Sequence, residues 1–130
     1  MAIQHFELIL YVANQQRSRD FYHVMLGLEP SLDVPGMTEF EIGETKLGLM
    51  PSRGIKKLLG DAINDPELAN GIPRCELYLN VDDPQAYLQR ALDAGATELS
   101  PLLLRDWGEE AAYVSDFDSH VIAFAKKENE

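Results

Sequence analysis

Apolar residues recur along this chain with two periods. Between residues 3 and 12 they alternate: Phe6, Leu8, Leu10 and Val12 share one face, and Ile3, His5, Glu7, Ile9 and Tyr11 share the other. The first set is uniformly apolar and predicts a strand packed under a helix. The second is mixed and predicts a face toward solvent or a wet cavity. The period then becomes helical. Phe21, Val24, Met25 and Leu28 fall at three- and four-residue spacing and predict one apolar helical face. Asn14 suits the N-cap, because its side-chain oxygen can accept a free backbone N–H, and Gly27 supplies the left-handed stop. Pro30, Pro35 and Gly36 predict an extended or turning segment. Residues 38–42 and 46–50 then predict a hairpin around Gly43-Glu44, with glycine at the first turn position.

Residues 51–73 are less regular. Ile55, Leu58, Leu59 and Ile63 predict a short amphipathic helix, with Arg53, Lys56 and Lys57 clustered at its start. Asp65-Pro66-Glu67 predicts another capped turn, and Gly71-Ile72-Pro73 closes the segment. Two readings stay open: a solvated connector, or a lid whose basic residues meet an anionic part of a ligand. The opening pattern then restarts. Cys75-Glu76-Leu77-Tyr78-Leu79-Asn80-Val81 aligns with Phe6-Glu7-Leu8-Ile9-Leu10-Tyr11-Val12 at an offset of 69 residues. A helix follows again, capped by Asp83, with Pro84 at its first position and Tyr87, Leu88, Ala91 and Leu92 on its inner face. Gly95 ends it as Gly27 ends the first. The pattern is an internal repeat. Residues 102–104, 111–115 and 120–125 complete it with strands, and the polar tail from Lys126 is expected to fray.

At 130 residues the chain suits a single domain. No apolar run is long enough to span a membrane, and no signal peptide is expected. A single cysteine, Cys75, allows no internal disulfide and fits a cytoplasmic protein. The net charge of −11 repels phosphate backbones, so nucleic acid is not an expected partner. The same charge attracts a cation.

The first strand, a polar link carrying Ser18, Phe21-Tyr22 and Leu26-Gly27-Leu28 resemble the opening module of the vicinal oxygen chelate superfamily. That group includes glyoxalase I, extradiol dioxygenases, and fosfomycin- and bleomycin-resistance proteins. The second strand–helix–glycine unit, Trp107-Gly108 and Asp116-Phe117-Asp118-Ser119-His120 extend the resemblance over nearly the whole chain; the last run lacks the family's proline and glycine. The resemblance implies an α+β fold of two βαβββ modules, the glyoxalase/bleomycin resistance/extradiol dioxygenase fold, curled into a cup-shaped sheet. Module one covers about residues 1–52, a connector about 53–73 and module two about 74–127. It also implies a homodimer.

Metal-using members place ligands at four sheet positions, which fall here on Glu7, Gly48, Glu76 and Ala123. Gly48 and Ala123 cannot ligate through side chains, and no histidine occupies any of the four. A non-haem iron oxygenase wants two histidines and a carboxylate on one face. The usual metal set is therefore missing, and no cofactor is expected. A divalent metal, Mg²⁺ or Mn²⁺, would have to use Glu7 and Glu76, with His5 from the same strand face. His23 and His120 read as structural.

As equivalent positions of two repeats, Glu7 and Glu76 are both expected to point into the cup, where one carboxylate would tend to hold its proton. They could bind a hard cation, act as a general base, attract a cationic ligand, or simply be solvated. Tyr11, Tyr78, Asn80, Trp107 and Tyr113 are the expected ligand-binding walls, with Arg53 from the connector. Arg105 is expected to pair with Glu109 or Glu110, and Cys75 reads as packing. The first functional expectation is a small-molecule binder that sequesters a cationic or aromatic compound without a metal, as antibiotic-resistance members do. The second is a metal-dependent lyase, isomerase or dioxygenase using Glu7 and Glu76.

Overall fold

A computed structural model describes residues 1–128. The chain divides into two compact units, Met1–His23 with Gly27–Asn70, and Val24–Leu26 with the chain from Gly71 onward.

The first unit runs β1 (Glu7–Val12), α1 (Gln15–Leu26, whose last turn falls in the second unit), β2 (Leu32–Val34), β3 (Met37–Ile42), β4 (Thr45–Pro51) and α2 (Ser52–Leu59), followed by two short 3₁₀ turns. Its sheet has the order β1-β4-β3-β2, with β1 parallel to β4 and the other pairs antiparallel. β1 begins at Glu7, so the alternation expected from Ile3 holds only over its second half, and Phe6 is exposed. Leu10 and Val12 are buried, as are Leu47, Leu49, Thr38 and Phe40 on the same sheet face.

The Asn14 side chain caps α1 by accepting from the Arg17 N–H at 3.0 Å, and Gly27 ends the helix at φ 69°. The buried helical face is Ser18, Phe21, Tyr22, Met25 and Leu26, whereas Val24 and Leu28 are exposed. The stripe expected through Val24 and Leu28 is thus rotated. Its true start is Ser18, a polar residue that hides the periodicity. In the β3–β4 turn, Gly43 alone takes a positive φ. α2 buries Ile55 but leaves Leu58 and Leu59 exposed, and Lys56 Nζ donates to the carbonyls of Gly60 and Ile63 at 2.7 and 2.8 Å. Lys56 therefore caps its own helix.

The second unit repeats the plan: β5 (Glu76–Asn80), α3 (Pro84–Asp93), β6 (Thr97–Leu104), β7 (Glu109–Ser115) and β8 (Val121–Lys127), in the order β5-β8-β7-β6. Asp83 caps α3 through the Ala86 N–H, and Leu88 and Ala91 are buried, with the Tyr87 ring 5.9 Å from that of Phe124. β8 extends to Lys127, so Lys126 and Lys127 belong to a strand and not to a frayed tail; Asn129 and Glu130 lie outside the described residues. β6 is longer than residues 102–104 and its register against β7 shifts twice.

The β7–β8 turn is a buried polar knot. The Asp116 carboxylate accepts from the N–H groups of Asp118 and His120 and pairs with His120 Nδ1 at 2.8 Å. Ser119 takes φ 71° where the family's pattern has glycine, and its Oγ accepts from the Gly71 N–H at 3.0 Å. His120 is structural, and so is His23, whose Nδ1 lies 2.8 Å from the Leu28 carbonyl. Each unit is a βαβββ module, and the fold is α+β with two four-stranded mixed sheets. Among the described residues no helix is long and apolar enough to cross a membrane.

Candidate functional site

Strand register decides which side chains of the first unit meet. Ile9 pairs with Gly48 and Gly48 with Glu39, while Glu7 pairs with Lys46 and Lys46 with Glu41. These residues share the face away from α1. Gly48 creates the decisive space: a Cβ there would stand 2.5 Å from Glu7 Oε2 and 3.2 Å from Met37 Sδ. The Glu7 carboxyl therefore lies against the sheet where a side chain at position 48 would project.

Glu7 Oε2 is buried and has no hydrogen-bond donor. Its carboxyl is held above the usual carboxylate range, first by burial, then by a hydrogen bond and charge repulsion with Glu39, with Lys46 pulling the other way. Lys46 Nζ stands 3.8 Å from Glu39 Oε1. The repeat points to Glu76 as the counterpart of Glu7, whereas the acid beside Glu7 within its own unit is Glu39, which the repeat does not reveal. The signal was the alternation Met37, Glu39, Glu41 opposite a strand glycine.

His5 precedes β1, is exposed, and lines with Glu7, Glu41, Glu44 and Lys46 a cavity of about 540 Å³. Tyr11 is half-buried beside Met50. Arg53 is exposed and lines a different cavity of about 530 Å³, with Asn14, Gln16 and Asp33. The two cavities have no lining residue in common.

In the second unit the matching row reads Tyr78, Ala123, Tyr113, and the next reads Asn80, Ala125, Ala111. Three buried alanines form the floor of this face. The Tyr78 hydroxyl donates to Glu109 and accepts from the Trp107 indole N–H at 2.7 Å. Burial and the Glu109 bond raise the Tyr78 pKa, and the Trp107 bond partly offsets them. Tyr113 is also raised, by burial and then by the charge of Glu76, against the influence of Arg105.

Arg105 does not pair with Glu109 or Glu110. Its guanidinium donates to Ser100 Oγ and to the carbonyls of Pro101 and Ala111, and lies 5.1 Å from the Tyr113 ring centre. The register shifts between β6 and β7 occur beside these groups, and Arg105 folds back to serve them. Asn80 is exposed and, with Asp82 and Lys126, lines an opening of about 390 Å³. Glu76 is exposed opposite Val121. Cys75 is half-buried, and burial followed by the charge of Asp116 raises its thiol pKa, which suits packing and not a nucleophile.

The donors do not fit a divalent metal centre. Gly48 and Ala123 offer none, Glu7 and Glu39 offer two, and the Lys46 ammonium stands beside them. Among the described residues no three His, Cys, Asp or Glu side chains are grouped to hold a metal ion.

A family model described as a glyoxalase-like domain matches residues 6–127. No curated protein matches the chain. Among solved structures, a glyoxalase-related enzyme from Fulvimarina pelagi aligns with a TM-score of 0.80 at 21% identity, covering 95% of this chain and 88% of that one. A glyoxalase/bleomycin resistance protein/dioxygenase from Nocardioides aligns at 0.78 and 17% identity, covering 100% and 87%. A family enzyme of that description from Burkholderia phytofirmans PsJN aligns at 0.78 and 16% identity, covering 92% and 95%. At these identities the likeness establishes the fold.

Proposed function

The chain belongs to the glyoxalase-like domain family, and we propose that within it the protein binds a small organic cation without a metal centre. One observation carries this reading. The family's ligand position on β4 is Gly48, and the Glu7 carboxyl occupies the space a ligating side chain there would need. The carboxylates Glu7 and Glu39 are left with Lys46 as their neighbouring cation. A net charge of −11 raises the local concentration of any cationic ligand. The exposed Trp107, bonded to Tyr78, adds an aromatic surface suited to a ligand with a ring.

The test is titration with acridine orange, a planar cation, in the presence of a chelator. At an ionic strength of about 10 mM, where the screening length is about 30 Å, saturable binding is expected; it should weaken strongly at about 0.5 M salt. The chelator should change nothing. Binding that appears only after a divalent metal is added would overturn the reading. So would the absence of saturable binding at low salt.

A further inference from the structure

We propose that Trp107 and Glu109 seat the charged nitrogen of the ligand, an ammonium group carried on an aromatic ring system, and that Tyr78 holds the two in register. This rests on the reading above and adds a place and a chemistry to it.

Trp107 stands at the tip of the β6–β7 hairpin. The hairpin is closed by bonds from Arg105 N to the Glu109 carbonyl and from Gly108 N to the Arg105 carbonyl, at 2.8 and 3.1 Å. Gly108, at φ 87°, makes the turn. From there the indole reaches back to Tyr78 on β5, with β8 lying between β5 and β7. The resulting chain has one direction only. An indole N–H can only donate and a carboxylate can only accept, so the Tyr78 hydroxyl is the one member able to do both. It accepts a hydrogen bond from the Trp107 N–H and donates its own O–H to Glu109. The bonds fix an indole and a carboxylate side by side, although Trp107 keeps 56% of its surface exposed.

Neither group is spent on an internal cation. Arg105 is committed to Ser100, Pro101, Ala111 and the Tyr113 ring. Lys127 faces Glu109 across the β7–β8 ladder, yet the two make no ion pair. A carboxylate next to an exposed indole attracts an organic ammonium by charge and by the ring quadrupole together. An anion would meet repulsion, and a bare metal ion would find one carboxylate where it needs several oxygens.

The ligand probe is benzyltrimethylammonium, followed by the emission of Trp107, the chain's single tryptophan, and by calorimetry. Wild type should bind it, and Glu109→Gln and Trp107→Leu should each weaken binding by about tenfold. Tyr78→Phe keeps the ring and removes the hydroxyl. In the free protein it should lower the anisotropy of Trp107 and shift its emission to the red, and it should weaken the probe. A merely structural tyrosine would move stability and leave the affinity for the probe unchanged. Should Tyr78→Phe fail to fold, Glu109→Gln decides. If wild type binds and Glu109→Gln binds equally well, the seat is wrong while the broader reading stands. If the uncharged analogue neopentylbenzene binds as tightly, charge is not recognised and the seat is again wrong. If wild type binds neither this cation nor acridine orange, both proposals fall.

Discussion

In the first unit a row across three neighbouring strands reads Ile9, Gly48, Glu39; in the second the equivalent row reads Tyr78, Ala123, Tyr113. Both sheets have the same strand order and the same mixture of parallel and antiparallel pairs. The difference lies in one carbon atom. At Gly48 the missing Cβ lets a carboxyl lie down on the sheet beside a second acid. At Ala123 a methyl fills that place, and tyrosines flank it in the ladder. A common backbone therefore carries a close pair of acids in one module and an aromatic–carboxylate relay in the other. The turns diverge as well. β3 passes to β4 through two residues, Gly43 and Glu44, whereas β7 passes to β8 through 116–120, organised by the buried Asp116 carboxylate.

The contrast can be broken most severely at that second turn. Asp116→Ala removes the acceptor of two backbone N–H groups and of His120 Nδ1, all buried. Urea unfolding should register a loss of about 3 kcal/mol, since each orphaned donor bears its desolvation cost. Nothing comparable is expected from Glu44→Ala in the first unit's turn.

Making the first row resemble the second is a milder change. Gly48→Ala places its Cβ against Glu7 Oε2, Ile9 and Met37. Glu7 can swing away, so the expected destabilisation is only about 1 kcal/mol. In a Glu7→Ala background the same substitution should cost less, because only the contacts with Ile9 and Met37 remain. Equal costs in both backgrounds would show that Glu7 does not depend on the glycine.

The acid pair also predicts a pH dependence of unusual sign. Glu7 titrates higher in the folded protein than in the unfolded chain, so its contribution is fully present below its unfolded pKa of about 4.3 and is lost as pH rises through the folded value. Glu7→Gln should therefore gain stability relative to wild type as pH rises across that interval. A stability difference independent of pH would refute the raised Glu7 pKa. The smallest expected change is Ser119→Ala, which forfeits the bond from Gly71 N and should cost about 0.5 kcal/mol by thermal unfolding.

Much of this architecture was legible as pattern. Period two located β1 and β5, period 3.6 with Asn14, Gly27 and Asp83 located α1 and α3, and the 69-residue offset announced the repeat. What escaped was set by register and not by local sequence. Glu39 faces Glu7 only because β4 lies between β1 and β3 and presents a glycine there. Glu109 meets Tyr78 only because an alanine-rich strand separates them. The rotated face of α1 was hidden by Ser18, which is buried yet polar. Arg105 looked like an ion-pair partner for adjacent acids, but the irregular edge strand β6 drew it to carbonyls instead.

The order β5-β8-β7-β6 has a consequence for biosynthesis. β5 emerges from the ribosome first among its module's strands, and its ladder partner is β8, the last to be made. Until then β5 must wait, and Leu77 has no sheet to enter. The hairpin of β6 and β7 can close early, because its contacts are local, but the parallel pairing is a single late event. A ribosome stalled ahead of residue 121 would hold an unpaired strand and an uncovered helix α3, the kind of species that chaperones recognise.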